Sequence, residues 1–175
     1  MTLARLGQMA IFFVLTSSLS AAEDAGARLR LAGSPAVTPA QCRQLSDDAD
    51  WAVRQALAHN RRTPAEVLNK LARDPDVQVR IAVATNLSTT EATFELLTHD
   101  PDVNVRSVVA RFEYVPASIL AILARDPSTD VRMEVASNLN TRRETLQLLS
   151  HDPQPSVANS ASVGLQRLSE DSQPD

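Results

Sequence analysis

The sequence predicts an all-α solenoid of five 26-residue repeats, each made of two short helices, on three observations. Asp-Pro recurs without a gap at Asp74-Pro75, Asp100-Pro101, Asp126-Pro127 and Asp152-Pro153, with Asp48-Ala49 one period earlier. A valine follows each aspartate at a constant offset: Val53, Val79, Val105, Val131 and Val157. An arginine stands beside that valine in the first four copies, at Arg54, Arg80, Arg106 and Arg132. Units of roughly 20–50 residues that recur in register cannot each bury a face alone, so they stack. Hydrophobic residues make up 43% of the chain but aromatics only 3%, so Leu, Val and Ala must fill the core.

The first 22 residues read as an export signal. Arg5 supplies a thin positive region, Met9 to Leu15 a short apolar core, and Ser20-Ala21-Ala22 small residues before a cut ahead of Glu23. The apolar core is far shorter than the ~20 residues of a membrane span. The expectation is therefore a periplasmic or secreted protein without stable membrane insertion once the signal is removed. The single cysteine, Cys42, excludes an internal disulfide and a clustered cysteine metal site. Residues 23–36 show no period, contain Gly and Pro, and read as a linker. Repeats run from 37 to 168, and 169–175 reads as a disordered acidic tail.

Within a repeat, the second copy shows the logic. Thr63-Pro64-Ala65-Glu66 has the form of a capping box, with an N-cap threonine, a proline at the first helical position and a glutamate three residues on. Val67, Leu68 and Leu71 give the buried face. Asp74 ends that helix and caps the next, with Pro75 at its first position, and Asn86 suits a left-handed residue closing the second helix. The first copy reads Thr38-Pro39-Ala40-Gln41, displaced by one residue. Helices this short are marginal alone, and both α and 3₁₀ geometry fit them.

The run from Asn60 to Ala84, with Asn, Thr-Pro, spaced leucines, Asp-Pro and Val-Arg in order, resembles the leucine-rich repeat variant family. The Asp-to-Val-Arg element is also similar to HEAT-type repeats. The resemblance covers about 37–165 and implies a right-handed superhelix that serves as a binding or scaffold module. Relatives can carry an iron–sulfur cluster ahead of the repeats, which would need several cysteines where this chain has one, so no cofactor is carried over. The chain departs from the pattern twice. Ala158 replaces the arginine in the last copy, where no further repeat follows. At Arg111-Phe112-Glu113-Tyr114-Val115, Phe112 replaces the asparagine of Asn60, Asn86 and Asn138, and Val115 replaces a threonine.

The aspartates Asp48, Asp74, Asp100 and Asp126 and the arginines Arg54, Arg80, Arg106 and Arg132 should form stacked structural ladders of ion pairs, inside or between repeats. Arg73, His99, Arg125 and His151 share one register position at the end of the first helix, where a cation meets the negative end of the helix dipole. Two repeats separate His99 from His151, too far to share a metal ion. Cys42 aligns with Leu68, Phe94, Leu120 and Leu146 and reads as a small core residue; Trp51 aligns with Val77 and reads as core or as a cover.

Phe112 and Tyr114 beside Arg111 have two readings: an exposed interface hot spot on a loop edge, or an inward staple filling a gap. No glycine-rich phosphate loop or nucleophile–base arrangement is present in the sequence, and the net charge of −4 offers no basic stripe for nucleic acid. The sequence therefore points to a non-catalytic scaffold for a protein or peptide. A self-assembling envelope component is the alternative, and a ligand carrier or enzyme a more distant one.

Overall fold

The computed structural model describes residues 24–170, so the signal-peptide reading of 1–22 lies outside the described residues. Eleven helices and no strands occur among them. In order they are α1 (24–32), α2 (Pro39–Leu45), α3 (Trp51–His59), α4 (Ala65–Leu71), α5 (Val77–Ala84), α6 (Glu91–Leu97), α7 (Val103–Arg111), α8 (Ala117–Leu123), α9 (Thr129–Ser137), α10 (Arg143–Leu149) and α11 (Pro155–Glu170). All are α-helical, so the 3₁₀ option is not taken up. Helices α3, α5, α7, α9 and α11 pack directly on one another as one layer, and the even-numbered helices form the outer layer against them.

The core follows the repeat register. Val53, Val79, Val105, Val131 and Val157 are each fully buried. Full burial of one such valine stabilises by about 1.5–3 kcal/mol, which is what holds helices too short to persist alone. Cys42 is fully buried on α2, beside the buried leucines of its register position, as a core residue. Trp51 does not join the core: 45% of its surface is exposed at the start of α3.

Three local expectations are corrected. First, 24–32 is a helix, not a linker. Its Ala32 is fully buried, and Arg28 and Ala32 stand one period before Arg54 and Ala58, so α1 acts as the second helix of a half-repeat that covers the stack. At the other end Ser169 and Glu170 continue α11, and the rest of the tail lies outside the described residues. Gly164 lets α11 lie close against α10: a Cβ there would stand 3.0 Å from Leu146 Cδ1.

Second, capping is divided differently. Asp50, Asp76 and Asp102 are the N-caps of α3, α5 and α7 and accept the N–H groups of Ala52, Gln78 and Asn104. The Asp-Pro aspartate instead closes the preceding turn, as Asp74 Oδ1 accepts the Asp76 N–H at 2.9 Å. The capping box forms at Thr38 with Gln41 but not at Thr63. There Pro64 stands at the cap, with ψ near 149°, and the buried Thr63 hydroxyl donates back to the Leu57 carbonyl at 2.6 Å.

Third, the asparagines are not left-handed. No non-glycine residue among those described has positive φ. Asn60 and Asn138 are extended, with ψ of 121° and 130°.

Candidate functional site

The two edges of the solenoid are built from different chemistry. On one edge every arginine reaches forward to the aspartate of the next repeat. Arg54, Arg80, Arg106 and Arg132 donate Nε–H to Oδ2 of Asp74, Asp100, Asp126 and Asp152 at 2.6–2.7 Å, and Nη2–H to the second oxygen. Each Nη1 also donates to the carbonyl of its own repeat's aspartate. Arg28 of α1 supplies the same contact to Asp48 at 2.6 Å. The forward direction accounts for the half-repeat, which must carry an arginine for Asp48.

The carboxylates are buried and the guanidiniums nearly so, with exposures of 3–5% and 12–14% in the four repeat pairs. The aspartate hydrogen bonds hold Arg54, Arg80, Arg106 and Arg132 above the ordinary guanidinium value. The Arg132 bond holds Asp152 below the usual carboxylate range. At Asp48 burial acts upward, but the Asp50 N–H and Arg28 outweigh it and the net shift is downward. This edge is spoken for by the fold.

The exposed rim beside it holds Arg73, His99, Arg125 and His151. Each turns back onto the carbonyl four residues earlier, as His151 Nδ1 does on Gln147 O at 3.0 Å and Arg73 Nη1 on Asn69 O at 2.9 Å. The shared register position is thus a helix-end cap, as the dipole argument requires. Among the described residues no three His, Cys, Asp or Glu side chains come together as metal ligands.

The opposite edge consists of the loops that follow α3, α5, α7 and α9. Here the asparagine is an amide staple between repeats. Asn86 Nδ2 donates to Ala58 O and Asn60 O at 2.6 and 3.0 Å, Asn138 Nδ2 to Ala110 O and Phe112 O at 2.7 and 3.1 Å, and Asn60 Nδ2 to Ala32 O and Ser34 O. Ser88 and Asn140 add a second tie, to Arg61 O and Glu113 O. Thr63, Thr89 and Thr141 close each loop onto the helix before it.

All three devices are missing at one place. Phe112, Tyr114 and Val115 occupy the three positions, and none of their side chains makes the corresponding bond. The carbonyls of Ala84 and Asn86 therefore receive no staple from the next repeat. Instead Phe112 packs half-buried against Phe94 of α6, ring centroids 6.1 Å apart, and Tyr114 stands edge-on to Phe112 at 5.7 Å. Tyr114 remains 62% exposed. Arg111 is exposed and only 3.9 Å from Glu134 at its nearest. A surface depression lined by Thr85, Val108, Arg111, Phe112 and Glu113 opens at this junction.

Phe112 packs inward as the staple reading expects, while Tyr114 and Arg111 are exposed. The staple role of the asparagines was missed, although their spacing and their absence at 112 carried it.

Residues 51–76 match the family described as leucine rich repeat variant. That match spans one period, from Trp51 at the start of α3 to Asp76, and the chain's own Asp, Val and Arg spacing continues in register beyond it. Among solved structures the chain is similar to one described as a leucine-rich repeat variant with a novel repetitive protein structural motif. The two are 27% identical over 85% of this chain and 76% of that one, with a TM-score of 0.37. No curated protein matches the chain.

Proposed function

We propose that the protein is an exported, non-catalytic repeat scaffold, periplasmic in a cell with two membranes, that holds a protein or peptide at the loop edge around Arg111, Phe112 and Tyr114. The observation that carries this reading is the single junction where hydrogen-bonded ties give way to an aromatic cluster ending in an exposed tyrosine. Loss of stapling bonds at a site of pure packing would favour buried side chains; a tyrosine left outside beside an arginine has the composition of an interface anchor. The match of one period to a repeat family is consistent with the same class of function.

The test is a crosslinking capture from native envelope extract with the wild-type protein and with Tyr114→Ala. Tyr114 is exposed, so this variant should keep the melting temperature. A protein enriched by the wild type and lost by the variant identifies partner and edge together. Equal capture by both forms moves the site to another face. Size that grows with concentration, and no capture, would favour a self-assembling component instead.

A further inference from the structure

We propose that the loop edge takes an extended acidic segment of a partner protein, with apolar side chains set between its carboxylates. This rests on the reading that the edge is a docking site, and adds what docks.

The chain is net negative, yet this edge is basic. Arg61 and Arg62 lie in the loop after α3, Arg111 at the end of α7, and Arg142 and Arg143 at the start of α10; all five are exposed. Among the described residues Arg61, Arg62, Arg142 and Arg143 make no ion pair. The carboxylates on this edge are Glu113, Glu144 and Glu134, the last paired with Arg111 at 3.9 Å. Glu66 and Glu91, at the starts of α4 and α6, are engaged with Arg43 and Ser118 on the outer layer. On the opposite edge the ladder carboxylates are each matched by an arginine. Unpaired positive charge thus lies at the two ends of this edge, with the aromatic cluster between them.

The apolar groups alternate with the charges. Leu87 and Leu139 occupy one register position in the loops on either side of the Tyr114 loop, and are 45% and 73% exposed. Along the stack the order is an arginine pair, Leu87, Tyr114 with Arg111 and Glu113, and then Leu139 beside the second arginine pair. Packed helices lie about 8–10 Å apart, so three repeat steps span about 24–30 Å. An extended chain at about 3.3 Å per residue covers that in roughly eight or nine residues. Its acidic groups would fall at both ends, with an apolar side chain in the Arg111–Phe112 depression.

A single-stranded nucleic acid would also meet arginine, but it needs ring faces for stacking. Phe112 is held against Phe94, and Leu87 and Leu139 offer no ring, so the apolar content of the edge favours a peptide.

The experiment is selection of a random twelve-residue peptide library on the immobilised protein. Parallel selections use Tyr114→Ala and an Arg61→Glu/Arg62→Glu/Arg142→Glu/Arg143→Glu variant, whose melting curves confirm folding at these exposed positions. The expected result is enrichment of peptides with Asp or Glu flanking Leu or Phe. Their Kd should rise at least about tenfold with the charge-reversed variant and with added salt. Basic or uncharged peptides that still depend on Tyr114 overturn the acidic class and leave the docking edge standing. Peptides indifferent to both variants, or no enrichment, overturn both. Tighter arginine-dependent binding of a single-stranded oligonucleotide that displaces the peptides overturns the peptide in favour of nucleic acid.

Discussion

Arg80→Ala removes the central rung of the ladder and leaves its partner behind. The guanidinium makes two bonds to Asp100, at 2.7 and 3.0 Å, and one to the Asp74 carbonyl at 2.8 Å. With Arg80 12% exposed and Asp100 only 3%, neither water nor a neighbouring cation replaces it. Asp100 keeps the Asp102 N–H and nothing else of comparable strength. Breaking a buried pair from one side costs about 3–5 kcal/mol, because a charge is left buried without compensation. For a domain of this size about 2–4 °C accompanies each kcal/mol, so Tm should fall by roughly 6–20 °C. The assay is thermal and urea unfolding followed by circular dichroism. Arg73→Ala is the control: an exposed arginine on the neighbouring rim, with no carboxylate partner, should change stability by less than about 1 kcal/mol. Arg80→Met/Asp100→Leu is the complement, since replacing both partners by apolar groups should recover most of the loss. An Arg80→Ala shift no larger than that of Arg73→Ala would refute the buried-ladder argument.

Four further outcomes follow from the same geometry. Asn86→Ala, which strips two inter-repeat bonds from carbonyls of the first repeat, should cost about 1–3 kcal/mol in urea unfolding; a neutral result would show the staple to be incidental. Deleting residues 1–36 removes Arg28 and Ala32 and should lower Tm, whereas an unchanged melt would restore the linker reading. Asp152 and Asp48 are depressed, so their contribution is full above the ordinary carboxylate value of about 4 and is lost as pH falls through the lower folded values. The urea midpoint should therefore drop on acidification from pH 6 to pH 2.5, less steeply in Arg132→Ala; equal slopes would remove Asp152 as a cause. Burial pushes the Cys42 thiol up, so native protein should react slowly with a disulfide reagent at pH 8 and quickly in urea, and fast native reaction would contradict its place in the core.

Periodicity made most of the fold legible, because a residue buried in every repeat must recur at every period. The valine series is the plainest case: five positions at one spacing, all at zero exposure. Local chemistry was harder to read, because one residue type serves two geometries. Aspartate both caps a helix and closes a turn, and the chain separates the tasks between Asp74 and Asp76, two residues apart, which no propensity distinguishes. Threonine before proline has the form of a capping box at both Thr38 and Thr63, yet it caps only at Thr38, and at Thr63 the hydroxyl turns back onto the Leu57 carbonyl. The half-repeat at 24–32 was hidden because it keeps only what the next repeat needs, an arginine for Asp48 and a carbonyl for Asn60.

That economy also explains why the candidate edge stands out. A repeat position under purely structural demand keeps the group its neighbour requires, as Asn60, Asn86 and Asn138 do. At 112 the carbonyls of Ala84 and Asn86 lose the amide bonds that the other repeats supply, and two neighbouring positions change with it. Three hydrogen-bonding positions lost together, and replaced by two rings and a valine, are not a drift of one residue within the core. Phe112 recovers part of the lost stabilisation against Phe94, but Tyr114 recovers little, since most of its surface stays in water. The uncompensated part of the exchange lies in that exposed surface and in the arginines beside it, which is where a partner would supply the missing contacts.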